Sequence, residues 1–144
     1  MPDIHELDLP TCERIIRRGA FGRIAFVSPR GPEIVPVNYV VHEDAVLVRI
    51  APGSSLARHG AGAELAFEMD AVDHEYWTGF SVVARGVGEI LESPPPNEAG
   101  ARRPRPWAGG ERPWLLRMAW TELTGRRIGS PAGLDSLLAA GRAL

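Results

Sequence analysis

Arg49 sits near the end of the apolar run Val46-Leu47-Val48-Arg49-Ile50, after which the chain turns at Pro52-Gly53 and runs on through Ser54-Ser55-Leu56-Ala57-Arg58-His59-Gly60. Serine before an apolar residue and glycine after a basic pair are the start and stop signals of a short helix. A guanidinium, two hydroxyls and the positive end of a helix are together the ingredients of a phosphate site. The same residues equally describe an ordinary capped helix beside a surface arginine, and spacing alone leaves both readings open.

Two further segments carry polar groups in apolar surroundings. In Ile34-Val35-Pro36-Val37-Asn38-Tyr39-Val40-Val41, Pro36 removes a ladder donor and so marks an edge or a bulge along which another group can dock. Asn38 needs hydrogen-bond partners if buried, from a neighbouring loop or from a ligand. In Trp77-Thr78-Gly79-Phe80-Ser81-Val82-Val83-Ala84-Arg85-Gly86-Val87-Gly88-Glu89, Ser81 and Arg85 share one parity, and the glycines read as bends or close approaches of a barrel wall. Ser81 is left open between structure and ligand contact.

Other chemistries are excluded. All sixteen cationic side chains are arginines, so no Schiff-base or phosphate-loop lysine exists. The net charge of -2 lacks the positive field that a nucleic-acid partner needs. His5, His42, His59 and His74 stand far apart without HExxH or other metal-ligand spacing, so no metal is expected. GxSxG and GxGxxG are both missing, which argues against a nucleophile-elbow hydrolase and a Rossmann dehydrogenase. Cys12 is the only cysteine, which excludes an internal disulfide and fits a reducing cytoplasm. No stretch approaches the roughly 20 apolar residues of a membrane span, and Met1 to Leu9 has acids but no arginine, so no membrane association or export is expected.

With 144 residues and 44% hydrophobic content, the chain should form a single domain, residues 1–144, around one core. A first helix is expected around Leu9, Ile15 and Ile16, with Thr11 as N-cap and Gly19 as stop. Six strands follow: Arg23 to Ser28, Ile34 to His42, Ala45 to Ala51, Glu64 to Asp70, Phe80 to Leu91 and Trp114 to Leu123. Leu65, Phe67 and Met69 alternate with acids, which makes that strand half buried, and Trp114, Leu116, Met118 and Trp120 alternate likewise. Only Glu43 and Asp44 separate the second and third strands, which must therefore form a hairpin. The fold class expected is mainly β, a six-stranded antiparallel barrel with short flanking helices. Ser93-Pro94-Pro95-Pro96 and Arg102-Arg103-Pro104-Arg105-Pro106 should form a surface loop, and Ser130 to Leu144 a C-terminal helix.

The ordered set Gly-Ala-Phe-Gly-Arg-Ile-Ala-Phe-Val, Ile-Val-Pro-Val-Asn-Tyr, Val-Leu-Val-Arg-Ile-Ala-Pro-Gly-Ser-Ser-Leu, Thr-Gly-Phe-Ser-Val-Val-Ala-Arg-Gly, Arg-Pro-Trp-Ala and Leu-Thr-Gly-Arg-Arg-Ile resembles the pyridoxamine 5'-phosphate oxidase-like family of FMN-binding split barrels. The resemblance runs from about Leu9 to Ile128. It implies a split barrel, usually a homodimer, with FMN at the subunit interface and a small-molecule substrate. It places Arg49, Ile50, Ser54, Ser55 and Leu56 at the FMN phosphate, and Val35, Pro36, Val37 and Asn38 beside the isoalloxazine ring. Ser81 and Trp107 resemble further flavin-lining positions, the latter from the partner subunit. Similar proteins commonly carry lysine where Ser55 stands here, leaving Arg49 the side-chain cation of the turn. The resemblance names no catalytic residue. A flavin-dependent oxidoreductase is the function it implies; a reductase using the deazaflavin F420, or a non-catalytic flavin- or haem-binding module, is the alternative, and a protein without cofactor remains open.

Overall fold

The computed structural model describes residues 3–92 and 113–130. The proline-rich segment with Trp107 and the segment expected to form a C-terminal helix lie outside the described residues.

The elements run β1 (Ile4–Glu6), α1 (Leu9–Arg18), β2 (Phe21–Ser28), β3 (Gly31–Asn38), β4 (Val40–His42), β5 (Ala45–Ile50), α2 (Ser55–Gly60), β6 (Glu64–Asp73), β7 (Thr78–Leu91) and β8 (Trp114–Ile128). All pairings are antiparallel, in the order β3-β2-β6-β7-β8-β5-β4, with β1 added on β8. The fold is thus the expected antiparallel split barrel, with eight strands among the described residues instead of six. One extra strand is the short β1. The other arises because the run Ile34 to His42 is two strands, broken at Tyr39.

That break shapes the molecule. β3 lies at one end of the strand order and β4 at the other, so a single residue carries the chain from one edge of the sheet to the opposite edge. Tyr39 is 2% exposed; its backbone N–H donates to Ala20 O at 3.0 Å, and its hydroxyl donates to Ile16 O at 2.7 Å. Gly19 leaves room for this, since a Cβ there would lie 2.1 Å from the Tyr39 oxygen. A long apolar run reads as one strand because period-two alternation continues through the corner; only the partner of each half reveals the break.

Helix α1 begins earlier than expected. Its N-cap is Asp8, whose carboxylate accepts from Thr11 N at 2.9 Å, while Pro10 fills a first-turn position where no N–H is needed. Thr11 is therefore the residue capped and not the cap. The bond to Thr11 holds the Asp8 carboxyl below its ordinary range. Cys12, Ile15 and Ile16 are fully buried, and α1 closes one part of the barrel with them. Arg17 reaches the β4–β5 turn, donating to Glu43 O at 2.6 Å and pairing with Asp44 at 2.7 Å. The expected two-residue hairpin is present, with Glu43 at a φ of 53°.

Helix α2 starts at the N-cap Ser54, whose hydroxyl accepts from Ala57 N at 3.2 Å and donates to Ala51 O at 2.7 Å. It ends with Gly60 inside the last turn and Ala61 as C-cap, one residue later than expected. Close approach explains the glycines there: a Cβ on Gly88 of β7 would stand 2.2 Å from Gly60 O. Leu65, Phe67 and Met69 are buried as their alternation implies, and β8 continues as a strand past Leu123 to Ile128.

Candidate functional site

Strand alternation sorts the residues singled out in the sequence. On β3, Val37 belongs to the buried core and Val35 packs against it, so Pro36 and Asn38 point to the outer surface. On β5, Val46, Val48 and Ile50 are core residues, and Arg49 points outward. Leu56 of α2 is 5% exposed and also lies in the core. Val37, Ile50 and Leu56 can therefore meet a ligand only through their backbones. Pro36, Asn38 and Arg49 offer side chains.

The Tyr39 corner brings these outward groups into one region. β4 pairs with β5 from Val40 opposite Leu47, and β3 itself touches β5, so Asn38 leaves the corner on the side where Arg49 follows Leu47 and Val48. Among the described residues strand β3 has a single bonded neighbour, β2, which leaves alternate backbone N–H and C=O groups along Val35 to Asn38 directed away from that ladder. Pro36, which cannot donate, sits on this edge as its chemistry requires.

The Ser54–Ser55 turn is at the end of β5. Ser54 spends its proton on Ala51 O, and the Ser55 hydroxyl donates to Glu33 Oε2 at 3.0 Å. Hydrogen bonds from the Ser28 and Ser55 hydroxyls, with Arg30 and His59 nearby, hold the Glu33 carboxyl below its ordinary range. Glu33 was not singled out by sequence reasoning. It lies twenty-two residues from Ser55, and nothing local joins them.

Ser81 lies elsewhere. Its row across the sheet is Asp70, Ser81, Arg126, whereas the Arg49 row passes through Leu115 to Leu91 at the other end of β7. Ser81 and Arg126 line two adjoining cavities on the outer face, of about 490 and 470 Å³. The second has apolar walls from Ile4, Val72, Trp77 and Ile128, of which Trp77 is 72% exposed. Within the chain Ser81 does not come to Arg49.

Next to the Ser81 row, Arg23 of β2 spans two carboxylates of β6, 3.1 Å from Glu68 and 3.5 Å from Asp70, the residue opposite Ser81. Burial and the Asp70 charge raise the Glu68 pKa against the lowering pull of Arg23. A raised native pKa means that this group favours folding below the ordinary carboxylate range and loses that contribution as pH rises through its native value. Arg23→Ala removes this opposing cation, so the Glu68 titration followed by carboxyl-carbon NMR is expected to move further up.

A family model described as pyridoxamine 5'-phosphate oxidase matches residues 8–127. The chain belongs to this family. An uncharacterised protein of Mycobacterium tuberculosis is 28% identical over 131 residues, covering 88% of this chain and 86% of that protein. A solved structure described as the FAD binding protein from Mycobacterium smegmatis has a TM-score of 0.66 at 28% identity, covering 87% of this chain and 98% of its own. A FAD-binding protein from Mesorhizobium loti shares the fold with a TM-score of 0.70 at 18% identity, over 90% of this chain and all of the other (100%).

For a pyridoxamine 5'-phosphate oxidase-like chain, the question is whether these residues suit a flavin phosphate and ring. The edge of β3 and the outward Arg49 do: the first offers backbone groups directed away from the ladder, the second a fork of donors matched to phosphate oxygens. Ser55 suits it only by releasing Glu33. Among the described residues no cluster of His, Cys, Asp and Glu is arranged to hold a metal ion, and no helix is long and apolar enough to cross a membrane.

Proposed function

We propose that this protein binds a flavin nucleotide, FMN in the first instance, and works as a flavin-dependent oxidoreductase on a small organic molecule. The observation that carries the reading is the outward placement of Pro36 and Asn38 on β3 and of Arg49 on β5, a strand that β3 touches, in a chain of this family. Arg49 and the Ser54–Ser55 turn would hold the phosphate, and the β3 edge from Val35 to Asn38 the ring. The flavin, when bound, supplies hydride transfer. The protein's own groups orient it: Asn38 with an amide that can donate and accept, β3 with its edge backbone, Arg49 with charge.

The test is a titration of the purified protein with FMN, FAD and a deazaflavin, followed by the visible spectrum. Saturable binding of FMN with a perturbed flavin band is expected. A colourless protein with no affinity for FMN or FAD overturns the reading.

The site is proposed to be completed by a second copy of the chain. Ser81 and Arg126 lie away from Arg49 within one protomer, and the apolar rim of Ile4, Val72, Trp77 and Ile128 beside them is exposed. Sedimentation at micromolar concentration should give a homodimer. A monomer under those conditions would remove the shared site.

A further inference from the structure

We infer that Glu33 determines which form of phosphate the chain accepts, disfavouring the doubly charged phosphate monoester of FMN relative to the singly charged phosphates of the pyrophosphate in FAD. This rests on the reading above that a flavin phosphate lies at Arg49 and the Ser54–Ser55 turn.

Both hydroxyls of the turn are engaged: Ser54 donates to Ala51 O at 2.7 Å, and Ser55 donates to Glu33 Oε2 at 3.0 Å. Ser54 cannot turn away from its bonds without uncapping α2, because the same oxygen accepts from Ala57 N. Ser55 is the hydroxyl that can be redirected. An arriving phosphate that takes its proton leaves the Glu33 carboxylate beside the new anion.

Glu33 is poorly placed to avoid that encounter. It is carried on β3, whose register against β2 is set through the whole hairpin, from Ser28 opposite Gly31 to Phe21 opposite Asn38. Its carboxylate is also held by Ser28, whose hydroxyl in turn accepts from Arg30 N at 3.1 Å. Around it stand Arg30 from the β2–β3 turn and His59 from the last turn of α2. Those neighbours keep Glu33 ionised at neutral pH, where a carboxylate repels a phosphate.

The repulsion depends on phosphate charge. A phosphate monoester has its second pKa near 6 and is close to a dianion above neutral pH, while each phosphate of a pyrophosphate diester carries one charge. One additional negative charge about 4 Å from a carboxylate corresponds to roughly fivefold in affinity even at the dielectric of water. The Glu33 carboxylate therefore lowers the affinity for FMN relative to that for FAD without excluding FMN.

The test compares wild type, Glu33→Gln and Glu33→Ala, each titrated with FMN, FAD and riboflavin slightly above neutral pH. The side chain is at a solvent-accessible position on an edge strand, and thermal melting confirms that both variants fold. Removal of the carboxylate is expected to raise the FMN-to-FAD affinity ratio about fivefold, with riboflavin, which has no phosphate, unchanged. FMN binding gained by the variants where wild type has none gives the same answer. An unchanged ratio in both folded variants, with wild type binding flavin, overturns the inference and leaves the flavin reading standing. Absence of flavin binding in all three proteins overturns both.

Discussion

Arg49→Ala is expected to weaken FMN binding tenfold or more while leaving the folded protein intact. Arg49 follows Val48 on β5 and precedes Ile50, both core residues, so its own side chain is turned out of the barrel and contributes little to core packing. A guanidinium donating to phosphate is worth about 1.5–3 kcal/mol as a charge-assisted hydrogen bond, which is a factor of ten to a hundred in affinity. With serine at the adjoining turn, no neighbouring lysine can take over. Arg49→Lys should fall between, since it keeps the charge and loses the fork. Isothermal titration of the variants beside wild type, with thermal melting as a check on folding, settles the matter: undiminished FMN affinity in folded Arg49→Ala places the phosphate elsewhere. The sign is opposite to that at Glu33, so the pair of results separates attraction from repulsion at one anion site.

Tyr39→Ala should cost about 3–5 kcal/mol of stability, the range for truncating a buried large aromatic side chain. The ring lies against Phe67, with centroids 4.5 Å apart and planes at 61°, and Phe67 is itself fully buried. The hydroxyl satisfies the Ile16 carbonyl near the end of α1, where the helix leaves carbonyls unpaired. Tyr39→Phe isolates that bond and is expected to cost about 1–3 kcal/mol, because the carbonyl is left buried without a partner. The remainder of the alanine effect belongs to the ring, and a Tyr39/Phe67 double-mutant cycle should show a coupling of about 0.5–1.5 kcal/mol. Urea denaturation measures all of these. A loss under about 1 kcal/mol for Tyr39→Ala would mean that the corner holds the two sheet edges together by other contacts.

The elements were legible where local pattern suffices. Leu65, Phe67 and Met69 alternate with charged residues, so one face had to be buried. Glu43-Asp44 leaves no length for anything but a hairpin, and a serine pair before Leu56 announces a capped helix, with Ser54 the cap in the structure. Boundaries were less legible. Asp8 and Thr11 are both good caps, and only Pro10 in the first turn, with the backbone geometry at Asp8, decides between them.

By itself the sequence determined the antiparallel barrel, the position of Arg49 near the end of an apolar strand and the capped turn after β5, because each follows from spacing within a few residues of chain. The tertiary structure decided three things that spacing cannot hold. It split the run Ile34 to His42 at Tyr39, since the break is defined by strand partners at opposite ends of the sheet order. It placed Glu33 on Ser55, a contact made when the β2–β3 hairpin meets the start of α2. And it set Ser81 with Arg126 in a row apart from Arg49, because the Arg49 row crosses Leu115 and meets β7 at Leu91, far along the strand from Ser81, a pairing between strands that no single strand's pattern displays.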